Sequence, residues 1–151
     1  MSKRSKGAET RARMVETAAR LFRKHGYHGT GLSQIIKESG TPKGSLYFHF
    51  PAGKEELTTA ALLESGRAFS DQLRALMTPE MDPDEAIEVA CSALARELVD
   101  SGYEKGCPIA TVALEASTHS EPIRLACEEH FQGWQDLIEE MLERRGVALE
   151  R

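Results

Sequence analysis

The chain has 151 residues, of which 40% are hydrophobic and 28% charged, with a formal net charge of -5. That length suits one good core, or a small domain joined to a second one. No apolar run approaches the roughly eighteen residues of a membrane helix, and the three widely spaced cysteines, Cys91, Cys107 and Cys127, argue against a disulfide framework or a structural zinc site.

The negative total would by itself count against a nucleic-acid partner. Its distribution does not: residues 1–60 hold 11 Lys and Arg against 5 Asp and Glu, whereas residues 61–151 hold 8 against 19. A basic front and an acidic back is the asymmetry of a chain that meets a polyanion with one part and stays soluble through the other. No signal-peptide pattern opens the sequence, and this together with the cysteine usage predicts a cytoplasmic protein.

Residues 1 to 9 are polar and basic without periodicity, which predicts a mobile arm. From Thr10, read as an N-cap, Met14, Val15, Ala18, Ala19, Leu21 and Phe22 form the apolar stripe of a helix that stops at Gly26. After a loop from Tyr27 to Gly31, Leu32, Ile35 and Ile36 mark a second, short helix, capped near Ser33 and closed by Gly40. A third helix is shorter still and runs through Lys43-Gly44-Ser45-Leu46-Tyr47-Phe48-His49, with Pro42 as its opener. Lys54 then starts a long helix to about Met77. Prolines at 79 and 83 break the chain, and a helix from about Asp84 to Ser101 follows, with Ile87, Ala90, Cys91, Leu94 and Leu98 at helical spacing. Pro108 opens the next helix. The last begins at Ser120-Glu121-Pro122 and ends before Gly146. Nothing alternates with a strand period, so the fold class is all-α.

So short a third helix gains little from propensity and must be held by what flanks it. Leu46 and Phe50, four apart, are its anchors. Gly40 permits the left-handed turn before it, and Gly44 lets its backbone approach a duplex without a side chain in between. Lys43 and Ser45 can reach phosphates or base edges. Tyr47 and His49 lie off the anchored face, where each can donate to phosphate oxygens, and Lys54 opens the next helix where a phosphate is favoured. This is the layout of a helix-turn-helix, in which one helix crosses the DNA backbone and the next presents side chains to the bases.

From Thr10 to Leu57 the chain resembles the DNA-binding domain of the TetR family of bacterial transcriptional repressors. The residues that carry the likeness are Ala18-Ala19-Arg20-Leu21-Phe22, Gly26-Tyr27, Thr30, Ile35-Ile36, Gly40, the run from Lys43 to Phe50, and Lys54-Glu55-Glu56-Leu57. The run from Lys105 to Glu115, with Phe50 to Lys54 and Trp134, is similar to the LmrA/YxaF subgroup of that family. The resemblance implies a helix-turn-helix domain over residues 1–53 and a helical ligand-binding and dimerisation domain over 54–151. It also implies a homodimer on a palindromic operator, released by a small hydrophobic or aromatic effector. It puts phosphate contacts at Thr30, Tyr47, His49 and Lys54, and base reading at Thr41, Pro42, Lys43, Gly44 and Ser45. Thr41-Pro42 departs from the family's usual aliphatic and small polar pair. Members usually add two long helices after the one holding Trp134, so the regulatory part is expected to be incomplete.

The five histidines show no metal-motif spacing, and Cys107 with His119 or His130 lacks a third orienting group, so neither metal, cofactor nor catalytic residues are expected. Phe69, Leu73, Leu94, Leu98, Ile109, Val112, Phe131 and Trp134 are the candidate lining of an apolar effector cavity between helices. The competing expectation is a helical protein-interaction module without specific DNA binding, its basic front merely solvated.

Overall fold

A computed structural model describes residues 6–78 and 80–147, without the side chain of Pro108. The described residues form seven helices and no strand: α1 (Lys6–His25), α2 (Leu32–Ser39), α3 (Lys43–His49), α4 (Lys54–Leu76), α5 (Pro83–Asp100), α6 (Pro108–Ala116) and α7 (Glu121–Arg144). The all-α fold class expected from the periodicity is therefore observed.

Helix α1 folds because Met14, Val15, Ala18, Leu21 and Phe22 fall on one face, and all five are buried. Its start corrects the sequence reading. Residues 6–9, expected in a mobile arm, are already helical, and the Thr10 hydroxyl donates to the Lys6 carbonyl at 2.9 Å instead of capping. Residues 1–5 of that arm lie outside the described residues. The N-cap of α2 is Gly31, one residue before Leu32, and Ser33 sits inside the helix. Helix α7 begins as expected: the Ser120 hydroxyl accepts from the Ile123 N–H at 3.3 Å and so satisfies a donor that the first turn leaves unpaired.

One continuous core runs through the described chain. Leu46, Phe50, Leu57, Ala61 and Leu62 join the α1 stripe from below, and Ile109, Val112, Ala116, Ile123, Ala126 and Cys127 join it from α6 and α7. Helix α4 packs against both α1 and α7, so it joins the N-terminal helices to the C-terminal ones. Helix α5 falls where the spacing predicts it, but its stripe is little covered. Only Ala86 of its residues is buried, while Ile87 and Leu94 are exposed, as is Cys91. Its apolar stripe is real, but α4 and α7 cover only its edge; spacing identifies a face and not the element that covers it.

In the α4–α7 contact the His130 ring lies against Gly66. A Cβ built at Gly66 would stand 2.2 Å from the ring atoms. His130 is 4% exposed, and its Nε2 has no hydrogen-bond partner among the described residues. Burial holds its pKa below the ordinary 6.5, and Arg67 adds to this, against the opposing effects of Glu129 and a hydrogen bond with the Leu62 backbone. With the folded pKa depressed, the unfolded chain takes up the proton first as pH falls. Stability is thus expected to hold above about pH 7 and to fall through 6.5 towards the folded pKa. Thermal melts of the chain and of His130→Leu between pH 7.5 and 5.5 check this: the variant should lose most of the slope.

Candidate DNA-binding interface

The turn between α2 and α3 is closed by backbone hydrogen bonds. Gly40 takes a left-handed conformation (φ 63°); its N–H donates to the Lys37 carbonyl and the Thr41 N–H to the Ile36 carbonyl, both at 3.3 Å. This paired closure is a Schellman motif, which satisfies carbonyls that a helix end leaves free. Thr41 is 6% exposed, and its hydroxyl shares a 2.7 Å hydrogen bond with that of Ser39. Pro42 is extended (φ -62°, ψ 141°) and stands at the N-cap, just before the first helical residue.

From this turn α3 emerges with one side fixed. Leu46 and Phe50 are fully buried, the Phe50 N–H closes on the Leu46 carbonyl at 2.7 Å, and the Arg11 guanidinium lies 5.1 Å from the centre of the Phe50 ring. Pro42, Lys43, Gly44, Tyr47 and Phe48 are exposed, and Ser45 and His49 are half-buried. A cation, a phenol, an imidazole and a bare stretch of backbone thus share the free side of a helix anchored by its other side.

Three expected contact residues are placed differently. Thr30 is fully buried, and its hydroxyl donates to the Gly26 carbonyl at 2.8 Å, so it closes the α1–α2 loop from inside. Thr41 is likewise committed to the turn, and neither hydroxyl faces outward as expected. Lys54 is half-buried; its ammonium donates to the Tyr27 carbonyl at 2.6 Å and sits 4.2 Å from the centre of the Tyr27 ring. Burial draws its pKa down, against the pull of Glu115. In this arrangement Lys54 ties α4 to the α1–α2 loop.

The helix-turn-helix is also clamped to the rest of the molecule by groups that sequence spacing did not single out. Arg23 donates to the Gly106 carbonyl at 2.7 Å and to Glu97 at 2.8 Å, and Lys24 pairs with Glu104 at 2.6 Å. The hydrogen bonds from Arg23 and Lys24 hold the Glu97 and Glu104 carboxyls below the usual range. The Glu115 carboxylate accepts from the His28 N–H at 2.8 Å and lies so close to Gly26 that a Cβ there would be 2.0 Å from its oxygen. Gly26 has φ +73°, a second reason for glycine at that position. Residues 74 to 89 positions apart leave no periodic trace in the sequence, so only the fold brings them together.

Ile109 and Val112 are fully buried in the core, Phe69 and Leu73 are 9% exposed, and Leu94 and Phe131 face outward. An aromatic group assembles: Trp134 has Phe69 at 5.0 Å and Phe131 at 5.4 Å between ring centres, and its indole N–H donates to the Ser70 hydroxyl at 3.2 Å. Phe69 also lines a cleft of about 310 Å³ with Ala19, Arg23, Ala68, Glu97 and Lys105. Among the described residues no helix is long and apolar enough to cross a membrane.

An all-helical chain that holds a short exposed helix through a hydrogen-bonded glycine turn is built as a helix-turn-helix protein. Comparison with known proteins makes the class specific. The profile of "Bacterial regulatory proteins, tetR family" matches residues 14–61, and that of "Transcriptional regulator LmrA/YxaF-like, C-terminal domain" matches 83–151. The HTH-type transcriptional regulator LmrA of Bacillus subtilis is 40% identical over 95% of this chain and 76% of its own length; the uncharacterized regulator YxaF of the same organism is 39% identical over 94% and 74%. The crystal structure of reduced E. coli NemR superposes with a TM-score of 0.80 at 28% identity, over 93% of this chain and 74% of that one. The chain belongs to the TetR family of transcriptional regulators, in its LmrA/YxaF-like branch.

Proposed function

We propose that the chain is a repressor that binds a palindromic operator in double-stranded DNA as a homodimer. A small hydrophobic or aromatic effector, bound in the helical body, releases it. The observation that carries this reading is α3, anchored by Leu46 and Phe50 with Lys43, Gly44 and Tyr47 on its free side. Lys43 and Ser45 then meet base edges or phosphates at the N-terminal part of the helix, while Tyr47 and His49 donate to phosphates and fix its register. Pro42 leads into this corner from the N-cap. Thr30, Thr41 and Lys54 serve by shaping the loops that carry α3.

The repressor sense draws on NemR, which is named a transcriptional repressor. The effector class draws on the group of Phe69, Phe131 and Trp134, on which a planar apolar molecule can stack. Its coupling to DNA runs through the Arg23–Glu97 and Lys24–Glu104 pairs and the Glu115 contact, since a shift of α5 or α6 pulls directly on α1. One α3 contacts few phosphates, so specific control needs two copies on two half-sites. The site of action is the cytoplasm.

A gel-shift titration against the DNA upstream of its own gene tests the proposal. A specific complex should form whose affinity falls steeply with salt, and Lys43→Ala should reduce the salt slope by about one if that side chain meets a phosphate. Salt-insensitive behaviour with no duplex affinity at low salt contradicts it and favours a protein-interaction module.

A further inference from the structure

The crest of α3 ends in a large apolar group that the described residues leave uncovered. Successive residues of a helix turn by about 100°, so Gly44 and Phe48, two before and two after Leu46, emerge opposite it. Leu46 is fully buried, whereas Phe48 is 78% exposed, more than Tyr47 beside it at 52%. Its ring meets the His49 ring edge-on at 5.0 Å. One turn earlier Gly44 leaves open space, since a Cβ there would meet nothing within 4 Å. Phe48 thus stands at the outermost line of the helix with clear ground beside it.

A phenyl ring in water forgoes the burial that its apolar area favours. It also carries no donor for a phosphate, unlike Tyr47 and His49 on either side. In the major groove the apolar mark on a base pair is the C5-methyl group of thymine, and phenylalanine is among the side chains that pack against it. We propose that Phe48 reads a thymine by packing its ring on that methyl group, and so sets specificity alongside Lys43. The proposal rests on the DNA-binding reading above.

The test uses the full chain and duplexes selected by it from a random-sequence pool. Each thymine of a selected duplex is replaced in turn by deoxyuridine, which lacks only the methyl group. One thymine per half-site should respond, with binding roughly fourfold weaker, the size expected for one buried methyl group. Phe48→Ala should bind the parent duplex more weakly and lose this dependence, and Phe48→Leu should keep most of it. Equal binding to every deoxyuridine duplex, as a ring resting on deoxyribose would give, overturns the proposal, as does a penalty that survives Phe48→Ala. A pool from which nothing is enriched instead overturns the DNA-binding reading itself, and this proposal with it.

Discussion

Replacing Leu46 by alanine is expected to cost about 3 kcal/mol of stability, within the range measured for buried leucines, and to weaken duplex binding beyond that loss. The side chain is fully buried, and with Phe50 at the C-cap it anchors a seven-residue helix. Truncation removes packed atoms and leaves a cavity under α3. A helix this short has no propensity reserve to keep its orientation once the anchor is gone. Urea unfolding gives the stability change, and fluorescence anisotropy well below the melting temperature gives the binding change. A variant that unfolds at the parent's urea concentration would show that α3 is held by something other than its core side.

The Gly66→Ala change should destabilise by roughly 2 kcal/mol, as overpacking of a dense interface does. On an exposed helix the same change would stabilise by up to about 1 kcal/mol. The sign reverses here because the new Cβ would stand 2.2 Å from the His130 ring, which is itself buried between α4 and α7. The His130→Ala background removes that clash. In it, Gly66→Ala should turn neutral or stabilising, a coupling of more than about 1 kcal/mol between contacting residues. Additive effects in the double mutant would mean that the two helices do not meet at this point.

Those two positions mark what sequence alone shows. The helix order, the anchoring of α3 by Leu46 and Phe50, and the glycine turn at Gly40 were all legible, because each follows from spacing or from backbone sterics. Tyr47 and Lys43 were legible as free side chains for the same reason. Phe48 was within reach too, since counting two residues from Leu46 puts it on the far face. Thr30 and Thr41 were not legible: a threonine hydroxyl satisfies a loop carbonyl as readily as a phosphate, and only burial distinguishes the two. Lys54 was ambiguous in the same way, its long stem allowing the ammonium to turn back to Tyr27. The Gly66–His130 contact and the Arg23–Glu97 pair join residues 64 and 74 positions apart and depend on how helices stack. The exposed stripe of α5 shows the remaining gap, between having an apolar face and having something to cover it.

Sequence-specific duplex binding is the central claim, and one equilibrium measurement addresses it directly. The full chain is titrated by fluorescence anisotropy against a duplex selected from a random pool and against a scrambled duplex of equal length and composition, at the same salt. Binding to the selected duplex should be at least about a hundredfold tighter, and a chain carrying both Lys43→Ala and Ser45→Ala should lose most of that ratio while keeping its helical content. Equal affinity for the two duplexes, or a ratio that the double variant retains in full, would contradict the assignment of α3 as the element that reads DNA.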